Sequence, residues 1–179
     1  MKPPSFLARA LATIIASAAS ATAAAATFTV VNTNDSGPGS LRDAINAANY
    51  YFGADLIDFA IPGTGVHQIS LFSPLPYITD RVTLNATTDD SYAANGNKPA
   101  IAIVGGAFGG PGLVLTGAAA SGSTVRGLAI YGFAAEGLVI DSGVSGATIA
   151  GNFIGKLNSA GNAGTTGNGS AGVLILGAN

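Results

Sequence analysis

Gly112-Leu113-Val114-Leu115 returns 25 residues later as Gly137-Leu138-Val139-Ile140. Beside it, Thr124-Val125-Arg126-Gly127-Leu128-Ala129-Ile130 is echoed 24 residues on by Thr148-Ile149-Ala150-Gly151-Asn152-Phe153-Ile154. Two independent pairs therefore agree on one period. A third glycine-apolar run, Gly172-Val173-Leu174-Ile175, starts 35 residues after Gly137. The excess over one period fits residues 156–171, rich in Asn, Gly, Ser and Thr, which read as a loop inserted at a corner.

A period of 24–25 residues made of short strands and glycine corners predicts an all-β chain, a right-handed parallel β-helix. In this reading Leu113, Leu128, Leu138, Ile149, Phe153, Ile154 and Val173 stack as core, and Gly112, Gly127, Gly137 and Gly151 make the corners. A leucine-rich repeat has an overlapping period, but its Leu-x-x-Leu-x-Leu-x-x-Asn pattern is missing.

Outward toward the N-terminus, Leu56–Phe59, Gln68–Leu71, Arg81–Asn85 and Ala100–Val104 read as further short strands. Thr27-Phe28-Thr29-Val30-Val31 is β-branched and aromatic, and Asn32–Gly39 is turn chemistry. One helix is expected, over residues 40–50. Ser40 and Asp43 form a capping pair, and Leu41, Ala44, Ile45 and Ala48 make one apolar stripe. Arg42 lies off that stripe and reads as a structural tie between the cap and nearby backbone or carboxylates. The expected organisation is residues 27–75 as an N-terminal cap and 76–179 as repeat coils.

Before the cap, Lys2 and Arg9 precede an uncharged Ala/Leu/Ile stretch from Ala10 to Ala26. Small-x-small sites follow at Ala21-Thr22-Ala23 and Ala24-Ala25-Ala26. This is the order of a secretory signal, expected over residues 1–26 and removed near Ala26. A bacterial, secreted or cell-surface location follows. Cleavage leaves five basic against nine acidic residues, and no second apolar span follows. Without a basic patch, nucleic acid is not an expected partner. Cysteine is absent, which excludes disulfide staples and thiolate metal sites.

Gly39-Ser40-Leu41-Arg42-Asp43-Ala44-Ile45 followed by Ala47-Ala48-Asn49 resembles the N-terminal segment of bacterial surface β-helix repeat proteins. Some of these carry Cys-Ser-Leu-Arg-Glu-Ala there; this chain has Gly39 for the cysteine and Asp43 for the glutamate. Ala54-Asp55-Leu56-Ile57-Asp58-Phe59, Ile61-Pro62-Gly63-Thr64-Gly65, Ser73-Pro74-Leu75-Pro76 and Gly151-Asn152-Phe153-Ile154-Gly155 extend the likeness over most of residues 27–179. The resemblance implies a pectate-lyase-like fold and an adhesin-like or autotransporter-like surface role, and is vague as to activity.

Catalytic chemistry finds no constellation in the chain, and no cofactor or metal is expected. Asp89-Asp90, the one adjacent acidic pair, falls in the polar stretch 87–97 and reads as a solvated turn. Asp35 follows Asn32-Thr33-Asn34, a loose likeness to an Asn-Thr-Asp hydrolase motif without its companions. Glu136 and Asp141 flank one strand, too few for a metal site. His67, the single histidine, shares parity with Ile69 and Leu71 and reads as structural. A Gly-x-Ser-x-Gly elbow is missing, and Gly167-Asn168-Gly169-Ser170-Ala171-Gly172 opens no helix, so its glycine spacing is accidental.

The functional expectation is thus a non-enzymatic surface segment whose partners are a host or cell-surface glycan or protein. The alternatives are the N-terminal part of a polysaccharide lyase or hydrolase, and a structural stalk. Nothing comparable to the cap helix closes the C-terminal end, so the sequence reads as truncated there, with self-association through an open end.

Overall fold

The computed structural model describes residues 24–106, 108–155 and 167–177. Most of the expected leader and of the loop 156–171 lies outside the described residues.

The elements run β1 (Thr27–Val30), α1 (Leu41–Tyr50), β2 (Asp55–Phe59), β3 (His67–Ser70), β4 (Val82–Asn85), α2 (Asp90–Ala94), β5 (Ile101–Val104), β6 (Leu113–Leu115), β7 (Thr124–Arg126), β8 (Leu128–Tyr131), β9 (Leu138–Ile140), β10 (Thr148–Ala150) and β11 (Val173–Ile175). Two 3-10 turns, Ala86–Thr88 and Ala118–Ala120, sit between strands. All pairing is parallel, in three sheets: β1-β2-β4-β7-β10, β3-β5-β8 and β6-β9-β11.

This corrects the expected fold class. The chain is not the all-β right-handed parallel β-helix with a single helix that the repeat predicts. Among the described residues it holds eleven strands in three small parallel sheets and two α-helices, a mixed α/β-like arrangement. Nor is there a uniform coil of 24–25 residues. Register partners are 24 residues apart from Thr124 to Thr148 but 41 from Thr83 to Thr124. The long step contains the 3-10 turn after β4, helix α2, β5 and β6. The repeat was real where it was read, since Leu113 pairs with Leu138 and Val125 with Ile149, but it does not extend to the strands before it.

Alternation makes the core. In β2, Asp55, Ile57 and Phe59 are buried while Leu56 and Asp58 are half-buried. Side chains two apart share a face, so Ile57, Leu84 and Val125 align across β2, β4 and β7. They join one continuous cluster with Ile101, Ile103, Leu113, Leu115, Leu128, Ile130 and Leu138. Each fully buried Leu or Ile contributes on the order of 1.5–3 kcal/mol relative to exposure, so this shared cluster is what binds the sheets together. On the other face of β5 and β8, Ala102, Ala129 and Tyr131 form a smaller cluster with Phe153 packed against it.

Helix α1 starts where its cap allows. The Asp43 amide donates to Ser40 Oγ at 3.2 Å, and the Gly39 amide donates to the Asp43 carboxylate at 3.3 Å. Its buried stripe, Leu41, Ala44, Ile45 and Ala48, packs toward β1 and β2. Helix α2 begins on Asp89, whose side chain accepts from the Ser91 amide at 3.1 Å.

Of the expected core residues, Leu113, Leu128 and Leu138 are fully buried, Ile149, Phe153 and Ile154 are half-buried, and Val173 is 38% exposed at the edge strand β11. Gly127 has a φ of +77°, and a Cβ there would lie 2.6 Å from Thr87 Cγ2. Both the backbone and the space demand glycine. At Gly112 the reason is space alone, because a Cβ would meet the Gly137 carbonyl oxygen at 2.3 Å. Gly137 is crowded by Asn168 in the same way, whereas Gly151 has a φ of +63° and open space beside it.

Candidate functional site

The β1–α1 loop and the outer face of β3 enclose an open groove of about 470 Å³. Thr33, Asn34, Asp35 and Ser36 form one wall; Gln68, Ser70 and Phe72 form the other. Strand alternation puts Gln68 and Ser70 there, since Ile69 between them is fully buried in the core.

Arg42 holds the two walls together. Its Nη2 donates to Asp35 Oδ1 at 2.8 Å and to the Ser73 carbonyl at 2.9 Å. Its Nε donates to the Asp35 carbonyl at 2.9 Å, and its Nη1 donates to the Pro74 carbonyl. The Phe72 amide adds a 3.1 Å bond to Asp35 Oδ1. One planar guanidinium on α1 thus ties residue 35 to residues 73 and 74, a task that fits its fork of donors. The Arg42 and Asp35 side chains are 16% and 15% exposed.

The floor is fixed from below. Gln68 Nε2 donates to the Tyr131 hydroxyl at 3.1 Å. Small Ala102 and Ala129 occupy the row between them, so the tyrosine and glutamine meet across the sheet. Burial pushes the Tyr131 phenol above its ordinary value, and the Gln68 bond opposes this, so the hydroxyl stays neutral at physiological pH. Above the floor, the Phe72 ring is 82% exposed.

The groove therefore offers amides, hydroxyls and one aromatic ring, with its one carboxylate already bound to an arginine. Such a surface can hold a neutral polar ligand and has no free acid or base with which to attack it. Asp35, the loose match to a hydrolase motif, is an anchor of the wall. Sequence reading singled out Asp35 and Arg42 but missed Asn34, Gln68, Ser70 and Phe72. Polar residues on alternate positions of a short strand look the same whether they face a groove or open solvent.

The other candidates are engaged in their own loops. His67 lies on the inner face of β3, in register with Ile101, and its Nε2 is 3.9 Å from Asp89 Oδ1, too long for a hydrogen bond. Asp89 accepts from the Ile61 amide at 2.8 Å and from both the amide and the hydroxyl of Ser91. Ser91 thus bonds to the carboxylate and not to the histidine, which is not the order of a nucleophile relay. Asp89 is 1% exposed and caps α2, so the 89–90 pair does not form a solvated turn. Asp141 accepts from the Ser142 amide at 2.7 Å and from Thr116 Oγ1 at 2.9 Å; these bonds lower its pKa below the usual carboxylate value. Among the described residues, no group of three or more His, Cys, Asp or Glu side chains is placed to hold a metal ion. No helix among them is long and apolar enough to cross a membrane.

No family model matches the chain, and no curated protein matches it.

Proposed function

We propose that this is an exported bacterial surface or secreted protein that binds a neutral glycan in the Asn34–Gln68–Phe72 groove without transforming it. The observation that carries the reading is the groove's chemistry: amides and hydroxyls beside an exposed ring, with the local charge neutralised by Arg42. Sugars present hydroxyls along their edges and C–H groups on their faces, which suit amide partners and an aromatic ring respectively. The leader-like N-terminus and the resemblance of residues 39–49 to bacterial surface proteins support the location. A lyase or hydrolase needs converging carboxylates, whereas Asp35, Asp89 and Asp141 each serve a separate loop. A second copy of the chain is a further proposed partner, at the edge strand β11, where Val173, Ile175 and Leu176 are 38%, 56% and 42% exposed.

The test is a glycan-binding screen with the mature protein, followed by titration of the best neutral oligosaccharide. Phe72→Ala is expected to weaken binding about tenfold, since an aromatic contact contributes about 1 kcal/mol beyond its area. Binding that is unchanged in both Phe72→Ala and Gln68→Ala would remove the groove from consideration.

A further inference from the structure

Asp55 opens β2 and is 1% exposed. Its Oδ1 accepts a 2.8 Å hydrogen bond from the backbone nitrogen of Ala26, 29 residues earlier. Its Oδ2 is buried and has no partner. A carboxylate oxygen shielded from water without a donor is costly, and a backbone N–H carries only one hydrogen to give. Ala26 itself is fixed in place: its carbonyl accepts from the Leu56 amide at 2.8 Å, continuing the β1–β2 pairing. Ala24 and Ala25, just before it, are exposed.

The nitrogen that faces Asp55 therefore lies inside the leader's run of small residues, where several cuts satisfy the small-x-small rule. We propose that the leader is cut between Ala25 and Ala26, after Ala23-Ala24-Ala25, and that the new α-ammonium of Ala26 pairs with the buried Asp55 carboxylate. This rests on the export reading above. A leader peptidase hydrolyses the bond with water. The hydroxyl of water joins the Ala25 carbonyl carbon and a proton joins the Ala26 nitrogen. The Ala25 carboxyl then releases its proton, leaving a carboxylate on the departing leader and an ammonium on the mature chain. One nitrogen now carries three hydrogens and a positive charge, enough to serve both oxygens of Asp55 from its present position.

The other cuts do not complete the carboxylate. Cleavage after Ala26 removes the nitrogen altogether and leaves Asp55 with neither bond. Cleavage after Ala23 retains a peptide N–H at Ala26 and leaves Oδ2 as it is. Processing at the one bond thus converts an incomplete buried polar group into an ion pair that pins the start of β1 to β2. The unprocessed chain has only the single bond.

The experiment expresses the full chain in a bacterium with a general secretion pathway and sequences the N-terminus of the exported protein. Ala26 as first residue is expected; Thr27 or Ala24 would overturn the proposal while leaving export intact. A chain exported nowhere and still beginning at Met1 would overturn the export reading and this proposal together. On the mature protein, acetylation of the α-amine is followed by mass spectrometry, native and in urea. The native amine is expected to react at least tenfold more slowly, and equal rates would overturn the pairing. Asp55→Asn is expected to raise the native rate toward the unfolded one. Should that variant not fold, the native-against-urea comparison decides alone.

Discussion

Replacing Arg42 by methionine isolates what its guanidinium does, because methionine keeps an unbranched apolar stem. The variant loses the ion pair to Asp35 and the bonds to the carbonyls of Asp35, Ser73 and Pro74. Removing one partner of a well-buried ion pair costs about 3–5 kcal/mol, chiefly through the charge left behind. Here the two side chains are 16% and 15% exposed, and Asp35 keeps the Phe72 amide, so the lower end applies, about 3 kcal/mol. For a domain of this size that lowers the melting temperature by roughly 6–12 °C. Urea denaturation followed by circular dichroism measures the stability, and the slope is expected to stay constant because the core is untouched. Glycan affinity should fall together with stability, since the walls of the groove lose their common anchor. Arg42→Lys should recover only part of the loss, as an ammonium cannot span both loops. A cost below about 1 kcal/mol, the range of an exposed pair, would refute the clamp.

Leu138 is fully buried between register partners Leu113 and Val173, so Leu138→Ala is expected to cost about 2–5 kcal/mol in the same urea assay. Asp89→Ala removes the α2 cap and the partner of the Ile61 amide; a loss of about 2–4 kcal/mol is expected, and hydrogen exchange at Ile61 should quicken. For Asp141 the lowered pKa fixes a sign: its contribution is present above the unfolded carboxylate pKa and is lost as pH falls through the lower folded value. Thr116→Val should raise that folded pKa toward the ordinary value in a carboxyl-carbon NMR titration. Ile175→Lys on the exposed strand β11 should reduce any concentration-dependent association seen by analytical ultracentrifugation.

The parts of the fold legible in the sequence were those with a local signature. Ser40 followed by Asp43 and an apolar stripe marked α1, and the paired glycine-apolar runs marked β6 against β9 and β7 against β10. Helix α2 was missed because Asp90–Ala94 is one short turn-and-a-half of polar and small residues with no apolar period. Its one signal was Asp89 at the cap, which a turn shares. The uniform period failed for a different reason. Two matching steps cannot reveal that the step between β4 and β7 carries a helix and two strands of other sheets. The groove was legible only at Asp35 and Arg42, because it forms between segments whose proximity depends on that guanidinium reaching two loops at once.

The carboxylates show why binding is a better reading than catalysis. Charged residues make up 9% of the chain, and the acids are spent on loops far apart in sequence. Asp35 accepts from the Phe72 amide 37 residues away, Asp55 from Ala26 at 29, Asp89 from Ile61 at 28, and Asp141 from Thr116 at 25. Each joins one loop to another beside a neighbouring strand, where parallel pairing supplies no bond of its own. A general acid or base must exchange its proton with a substrate, and a carboxylate already holding backbone amides is stabilised in its ionised form and fixed in direction. The same bonds that make these residues good anchors make them poor proton carriers. What remains free on the groove surface is uncharged, and it is there that a ligand finds unsatisfied partners.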